Sequence, residues 1–144
     1  MPDDLTTVFD LARASAELAM RIERALGSWH GVGFDDLGLL LELHAAPGGV
    51  LPVTTLAAAR GVTPASVVRR LGPLERIGVI VRERDSHAAR RSTIRLTPAG
   101  ATLAVDAGAT ADEVARAALH ERWSPAQLEA LREVLDPTRS ARRS

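Results

Sequence analysis

One stretch constrains this chain more than any other: "TTLAAARGVTPASVVRRLGPLERIG", Thr54 to Gly78. An alanine-rich run reaches Arg60 and meets Gly61, a residue that ends helices because it alone enters the left-handed region without strain. Two residues later Thr63-Pro64 supplies the opposite signal, a capping hydroxyl followed by proline at the first helical position. The spacing predicts a short helix over 54–60 and a second over 63–77 that Gly78 ends. Two helices joined by so tight a turn must cross and share a core, the helix-turn-helix arrangement.

The residues that follow change period. Val79-Ile80-Val81-Arg82-Glu83-Arg84 is β-branched and then alternates in polarity, and Thr93-Ile94-Arg95-Leu96 alternates again. With Asp85-Ser86-His87-Ala88-Ala89 as the turn, they form a predicted β-hairpin directly after the second helix. A helix-turn-helix with such a hairpin is a winged helix. Val50-Leu51-Pro52-Val53, ahead of the first short helix, is short for a strand and is expected to make a single β-bridge.

Helices flank this centre. Residues 4–26 carry Leu5, Val8, Ala12, Ala16, Ala19, Ile22 and Leu26 at helical spacing, with Asp3 or Asp4 as cap and Gly27 as stop. Residues 28–34 read as a loop, and 35–46 as a helix with Leu37, Leu40, Leu41 and Leu43 inside, halted by Pro47-Gly48-Gly49. Thr97-Pro98 opens a long helix to about Leu119, and Ser124-Pro125-Ala126-Gln127 is a capping box for a last helix ended by Pro137. The expected fold is mainly α with a small β-hairpin. It divides into an N-terminal dimerisation helix and loop (1–34), a winged helix-turn-helix (35–97), and C-terminal dimerisation helices with a frayed tail (98–144). The two long helices carry more apolar stripe than a winged helix can cover.

With 144 residues and 46% apolar content, the chain can bury a core, and with two Phe and two Trp that core must be aliphatic. The absence of cysteine excludes disulfides, thiol nucleophiles and cysteine-ligated zinc. No apolar run approaches the roughly 18–20 residues a membrane span needs, and Met1-Pro2-Asp3-Asp4 does not open a signal peptide. A soluble, cytoplasmic protein is expected.

A net charge of zero hides an asymmetry. Residues 1–56 hold three Arg against eight acids, residues 57–97 nine against three, and residues 98–144 six against seven. The positive centre coincides with the winged helix and points to an anionic partner, duplex DNA. On a wheel of about 100° per residue, Val67, Leu71 and Leu74 define the inner face of the second helix, and Arg69 and Arg76 lie opposite. Thr63, Ala65, Ser66 and Val68 make a small leading end that can approach base edges, with Arg69 and Arg70 behind it. On the wing, Arg84, His87, Arg90 and Arg91 are the candidates for groove or phosphate contact. Arg69 and Arg90 are the two expected to be indispensable. Pro73 removes an N–H and clashes with the carbonyl of Arg69, so a bend or an irregular second half is expected there.

Together "VTTLAAARGVTPASVVRRLGPLERIGVIVRERD" and "RRSTIRLTPAG", with "LLLELHAAPGG" and "WSPAQLEALREVL", resemble the MarR family of bacterial transcriptional regulators over nearly the whole chain. The family's wing commonly shows D-x-R, five residues, then L-T-x-x-G. Leu96, Thr97 and Gly100 match, Arg90 stands at the arginine, and Ala88 replaces the aspartate that helps hold it. The resemblance implies a homodimer on an inverted-repeat operator, acting as a repressor. It also implies release by a small aromatic or phenolic effector between the dimerisation helices and the winged helix, near Trp29, His30, Phe34 and His44. Those four side chains equally suit core and interface filling. No cofactor, metal or catalytic residue is expected: "HGVG" at 30–33 resembles an esterase oxyanion loop, but no G-x-S-x-G follows. The alternative within the same fold is a winged helix with lost or altered DNA binding that acts through protein contacts.

Overall fold

Helix α1 begins where the Asp3 carboxylate accepts the Thr6 N–H at 2.7 Å, so Asp3 rather than Asp4 is the cap. The structure, a computed structural model, describes residues 3–84 and 92–136. In chain order the elements are α1 (Asp4–Trp29), α2 (Phe34–Ala45), β1 (Val50–Pro52), α3 (Val53–Arg60), α4 (Pro64–Arg76), β2 (Ile80–Arg84), β3 (Ser92–Leu96), α5 (Pro98–Arg122) and α6 (Pro125–Leu135). The three strands form one antiparallel sheet in the order β1-β3-β2. The mainly α winged-helix expectation holds. The predicted hairpin turn (85–89) and the tail from Pro137 onward lie outside the described residues.

Three boundaries differ from the sequence reading, each for a local reason. Helix α1 runs through Gly27 and stops at Gly31, whose φ of +67° supplies the left-handed residue that Gly27 does not. Val50–Pro52 is a full edge strand, with Val50, Leu51 and Pro52 facing Arg95, Ile94 and Thr93. Proline is tolerated there because only one side of an edge strand needs its N–H. Helix α4, expected to end near Ile77, runs to Arg76 with Pro73 inside it. Pro73 lies three residues before the helix ends and has no N–H to give the Arg69 carbonyl, and Arg69 is exposed to water. Helix α5 extends to Arg122, beyond the expected Leu119.

The chain forms two compact units, Met1–Ile22 with Asp112–Ser144, and Glu23–Ala111. In the second, Leu40, Leu43, Leu56, Val67, Leu71, Ile80, Ile94 and Ala104 are almost fully buried, and together they fix α4 against α2, α3 and the sheet. The inner face expected of α4, Val67, Leu71 and Leu74, is the buried one. The segment Leu-Thr-Pro-Ala-Gly closes this unit. Thr97 Oγ1 donates to the Gly78 carbonyl (2.7 Å) and accepts the Gly100 N–H (3.0 Å), while Thr97 N–H donates to the Val79 carbonyl (3.1 Å). A Cβ on Gly100 would stand 2.0 Å from that same Val79 oxygen. Threonine and glycine therefore clamp the start of α5 onto the turn that leads into β2.

In the first unit Arg21 meets Glu121 through both guanidinium ends (2.5 and 3.1 Å), and Arg122 meets Glu17 (2.5 Å). Hydrogen bonding to Arg21, more than its charge, holds the Glu121 carboxyl below the usual glutamate range. Ser124 and Gln127 form the reciprocal capping box at the start of α6. Of the apolar stripe expected on α1, Ile22 and Leu26 are buried, but Leu5, Val8, Ala12 and Ala16 are exposed, as are Phe9 and Leu11 off the stripe. Phe9 is 65% exposed and Val134 of α6 is 75% exposed.

Candidate nucleic-acid interface

The leading end of α4 is set by two local devices. Gly61, at φ +62°, ends α3, and the Thr63 hydroxyl then accepts the Ser66 N–H at 3.2 Å, with Pro64 in the first turn. Thr63 thus serves the helix as its cap. Ala65 and Val68 are exposed, Ser66 is half-buried, and Arg69 is exposed with no ion pair among the described residues. A small, weakly polar start followed by a free guanidinium fits the floor of a major groove.

The arginines of the positive centre divide sharply. Arg82 Nε meets Glu75 at 3.1 Å, and its backbone N–H donates to the same carboxylate, tying the foot of β2 to the last turns of α4. Arg95 of β3 grips Glu83 of β2 at 2.7 and 3.2 Å. The backbone amide of Arg82, then its side chain, holds the Glu75 carboxyl below the usual glutamate range, and hydrogen bonding to Arg95 does the same for Glu83. Arg70 is engaged by Asp35 (2.6 Å) and Asp36 (3.3 Å) at the start of α2. Arg60, Arg69, Arg76 and Arg84 have no ion pair among the described residues. His87, Arg90 and Arg91 lie outside the described residues, as does Ala88.

Two of the unpaired arginines were not among the expected site residues. The wheel already placed Arg76 beside Arg69, so its signal was present. Arg60 gave none, since it reads as an ordinary basic residue before a helix stop. Its guanidinium lies across the buried Gly38 of α2, where an added Cβ would come within 2.4 Å of it.

The four residues considered for an effector are not brought to one place. Trp29 is 80% exposed at the end of α1. His30 is half-buried, and its Nε2 lies 2.8 Å from Thr110 Oγ1 on α5. The same Thr110 hydroxyl also lies 3.3 Å from the Asp106 carbonyl one turn earlier. Phe34, half-buried, opens α2, and its N–H is capped by Glu23 of α1. His44 is exposed in the last turn of α2, about 15 Å along that helix from Phe34 at ~1.5 Å per residue.

Residues 30–91 match a family model described as MarR family. Among curated proteins, none matches by sequence. Among solved structures, a MarR family transcriptional regulator of Streptomyces coelicolor in complex with DNA superimposes with a TM-score of 0.82 at 22% identity, covering 96% of this chain and 86% of its own. The MepR–DNA complex of S. aureus gives 0.76 at 24% identity, covering 93% of this chain and 96% of its own. A Mycobacterium tuberculosis MarR family protein in complex with salicylic acid gives 0.68 at 28% identity, covering 93% and 97%.

Proposed function

We propose that this chain, whose residues 30–91 match a model described as MarR family, is a transcriptional repressor of that family that binds an inverted-repeat operator as a homodimer. It acts in the cytoplasm, without catalysis or cofactor. Thr63, Ala65, Ser66, Val68 and Arg69 of α4 enter the major groove, and Arg84 with the wing residues His87, Arg90 and Arg91 follows the backbone or the minor groove.

The observation that carries this is the division of charge. Arg69 and Arg84 have no ion pair among the described residues, on the side of the unit built by α4 and the wing strands, while Arg82 and Arg95 are consumed in holding that side together. Free guanidiniums beside a groove-sized helix are what a polyanion requires. The solved relatives in complex with DNA support the same use of the fold.

The exposed apolar side chains of α1 and α6, Leu5, Val8, Phe9, Val134 and Leu135, support the second copy, since monomers rarely leave so many bulky apolar groups in water. The relative solved with salicylic acid supports a small aromatic effector. His30 and Phe34 are its best-placed contacts, with Trp29 beside them in sequence and His44 at the far end of α2.

A gel-shift titration with the operator duplex, recovered by in vitro selection, tests the assignment. Arg69→Ala and Arg90→Ala are each expected to weaken binding at least tenfold, while unchanged affinity in both would contradict it. Binding that is absent at low salt, with a stable dimer intact, would leave the fold to protein contacts instead.

A further inference from the structure

Arg69 and Arg70 are neighbours on α4, but at about 100° per residue they cannot point the same way. Arg70 shares its side with Ser66, one turn earlier, and faces a cleft between α2, α3 and α4 that Asp35, Leu39 and Arg60 also line. Both terminal nitrogens of its guanidinium are used there, Nη2 on Asp35 at 2.6 Å and Nη1 on Asp36 at 3.3 Å. Asp36 and Arg70 are partly shielded, Asp36 the more, while Asp35 is exposed. One rigid fork therefore spans two successive carboxylates in the first turn of α2.

We infer that Arg70 is a positioning residue and not a DNA contact: it sets how α4 sits on α2 and cancels two carboxylates that would otherwise face approaching phosphates. The inference rests on the DNA-binding function proposed above, and it corrects the grouping of Arg70 with Arg69 as a base-reading or phosphate-binding residue. For Arg70 to reach DNA it must abandon both acids, leaving Arg60 as the other cation lining their cleft. Arg69 meets no such competition among the described residues.

Counterion release separates the two roles. Each lost phosphate contact reduces the slope of log affinity against log salt by about 0.9, hence by about 1.8 in a two-fold complex. Operator binding by the full-length protein is measured across salt for the wild type, Arg69→Gln, Arg70→Gln, and the triple variant Asp35→Asn, Asp36→Asn, Arg70→Gln. Arg69→Gln is expected to lose that slope, whereas Arg70→Gln weakens binding with the slope retained. The triple variant, with charge removed from both sides, is expected to recover affinity to within a few-fold of the wild type. A slope loss in Arg70→Gln equal to that of Arg69→Gln, with no recovery in the triple variant, would overturn the inference.

Amide exchange in the free protein provides a readout that needs no DNA. Arg70→Gln is expected to speed exchange at the start of α4 and of α2 by threefold or more, and unchanged exchange counts against the positioning role. A wild type that binds no duplex at low salt would sink the DNA-binding function itself, and the exchange measurement would still decide what Arg70 does.

Discussion

Glu75 shows how much a single surface carboxylate organises here. It accepts from both the backbone and the side chain of Arg82, and so joins the recognition helix to the wing. Because its folded pKa is depressed, its stabilisation is present above the unfolded pKa and is lost as pH falls through the folded value. Glu75→Gln is therefore expected to lower Tm at pH 7, with the difference from wild type closing in acid as pH falls from the ordinary glutamate value through the depressed one. A gap that persists in acid would mean the side chain acts through packing rather than charge. Gly100 makes a sharper demand. Any Cβ there meets the Val79 carbonyl, a backbone atom that cannot turn aside. Gly100→Ala is expected to cost about 2–3 kcal/mol in denaturant unfolding, as overpacking at a fixed contact does; a loss below about 0.5 kcal/mol would show that α5 can shift freely.

Among elements, α3, α4 and the paired wing strands were legible in the sequence because their stop and start residues are local: Gly61, Thr63-Pro64, Gly78 and the change of period after it. The end of α1 was not, because two glycines compete and only the left-handed backbone at Gly31 decides between them. Strand β1 was underestimated because its pairing comes entirely from β3, more than forty residues later. Pro73 lies inside α4 without ending it, because its cost, one lost hydrogen bond, falls on the carbonyl of Arg69, which is exposed to water. Pro73→Ala is expected to restore that hydrogen bond and raise stability by about 1 kcal/mol, leaving operator affinity within about threefold at ~1.4 kcal/mol per tenfold change. A tenfold loss of affinity would show that the proline shapes the DNA-facing surface. For the site, helical phase singled out Arg69 and wing position singled out Arg84 as candidates, but charge counting could not tell paired arginines from those with no ion pair among the described residues. Arg70, Arg82 and Arg95 became distinguishable only when Asp35, Asp36, Glu75 and Glu83 took their places in space.

For the whole molecule, the features that await a partner lie at two places. The first unit leaves Leu5, Val8 and Phe9 on α1 and Val134 and Leu135 on α6 in water, and the second leaves Arg69, Arg76 and Arg84 without an ion pair among the described residues. Phe9→Asp is expected to shift the sedimenting species from dimer to monomer and to weaken operator binding with it, since half-sites read singly forfeit the two-fold gain. A Phe9→Asp protein that stays dimeric would move the interface elsewhere. The most direct measurement is a titration of the purified protein with its selected operator over a range of salt concentrations, reporting stoichiometry and slope together. Two protomers per duplex, with affinity falling steeply as salt rises, are the predicted result. One protomer per duplex, or an affinity indifferent to salt, would contradict a paired protein that holds DNA through its unpaired arginines.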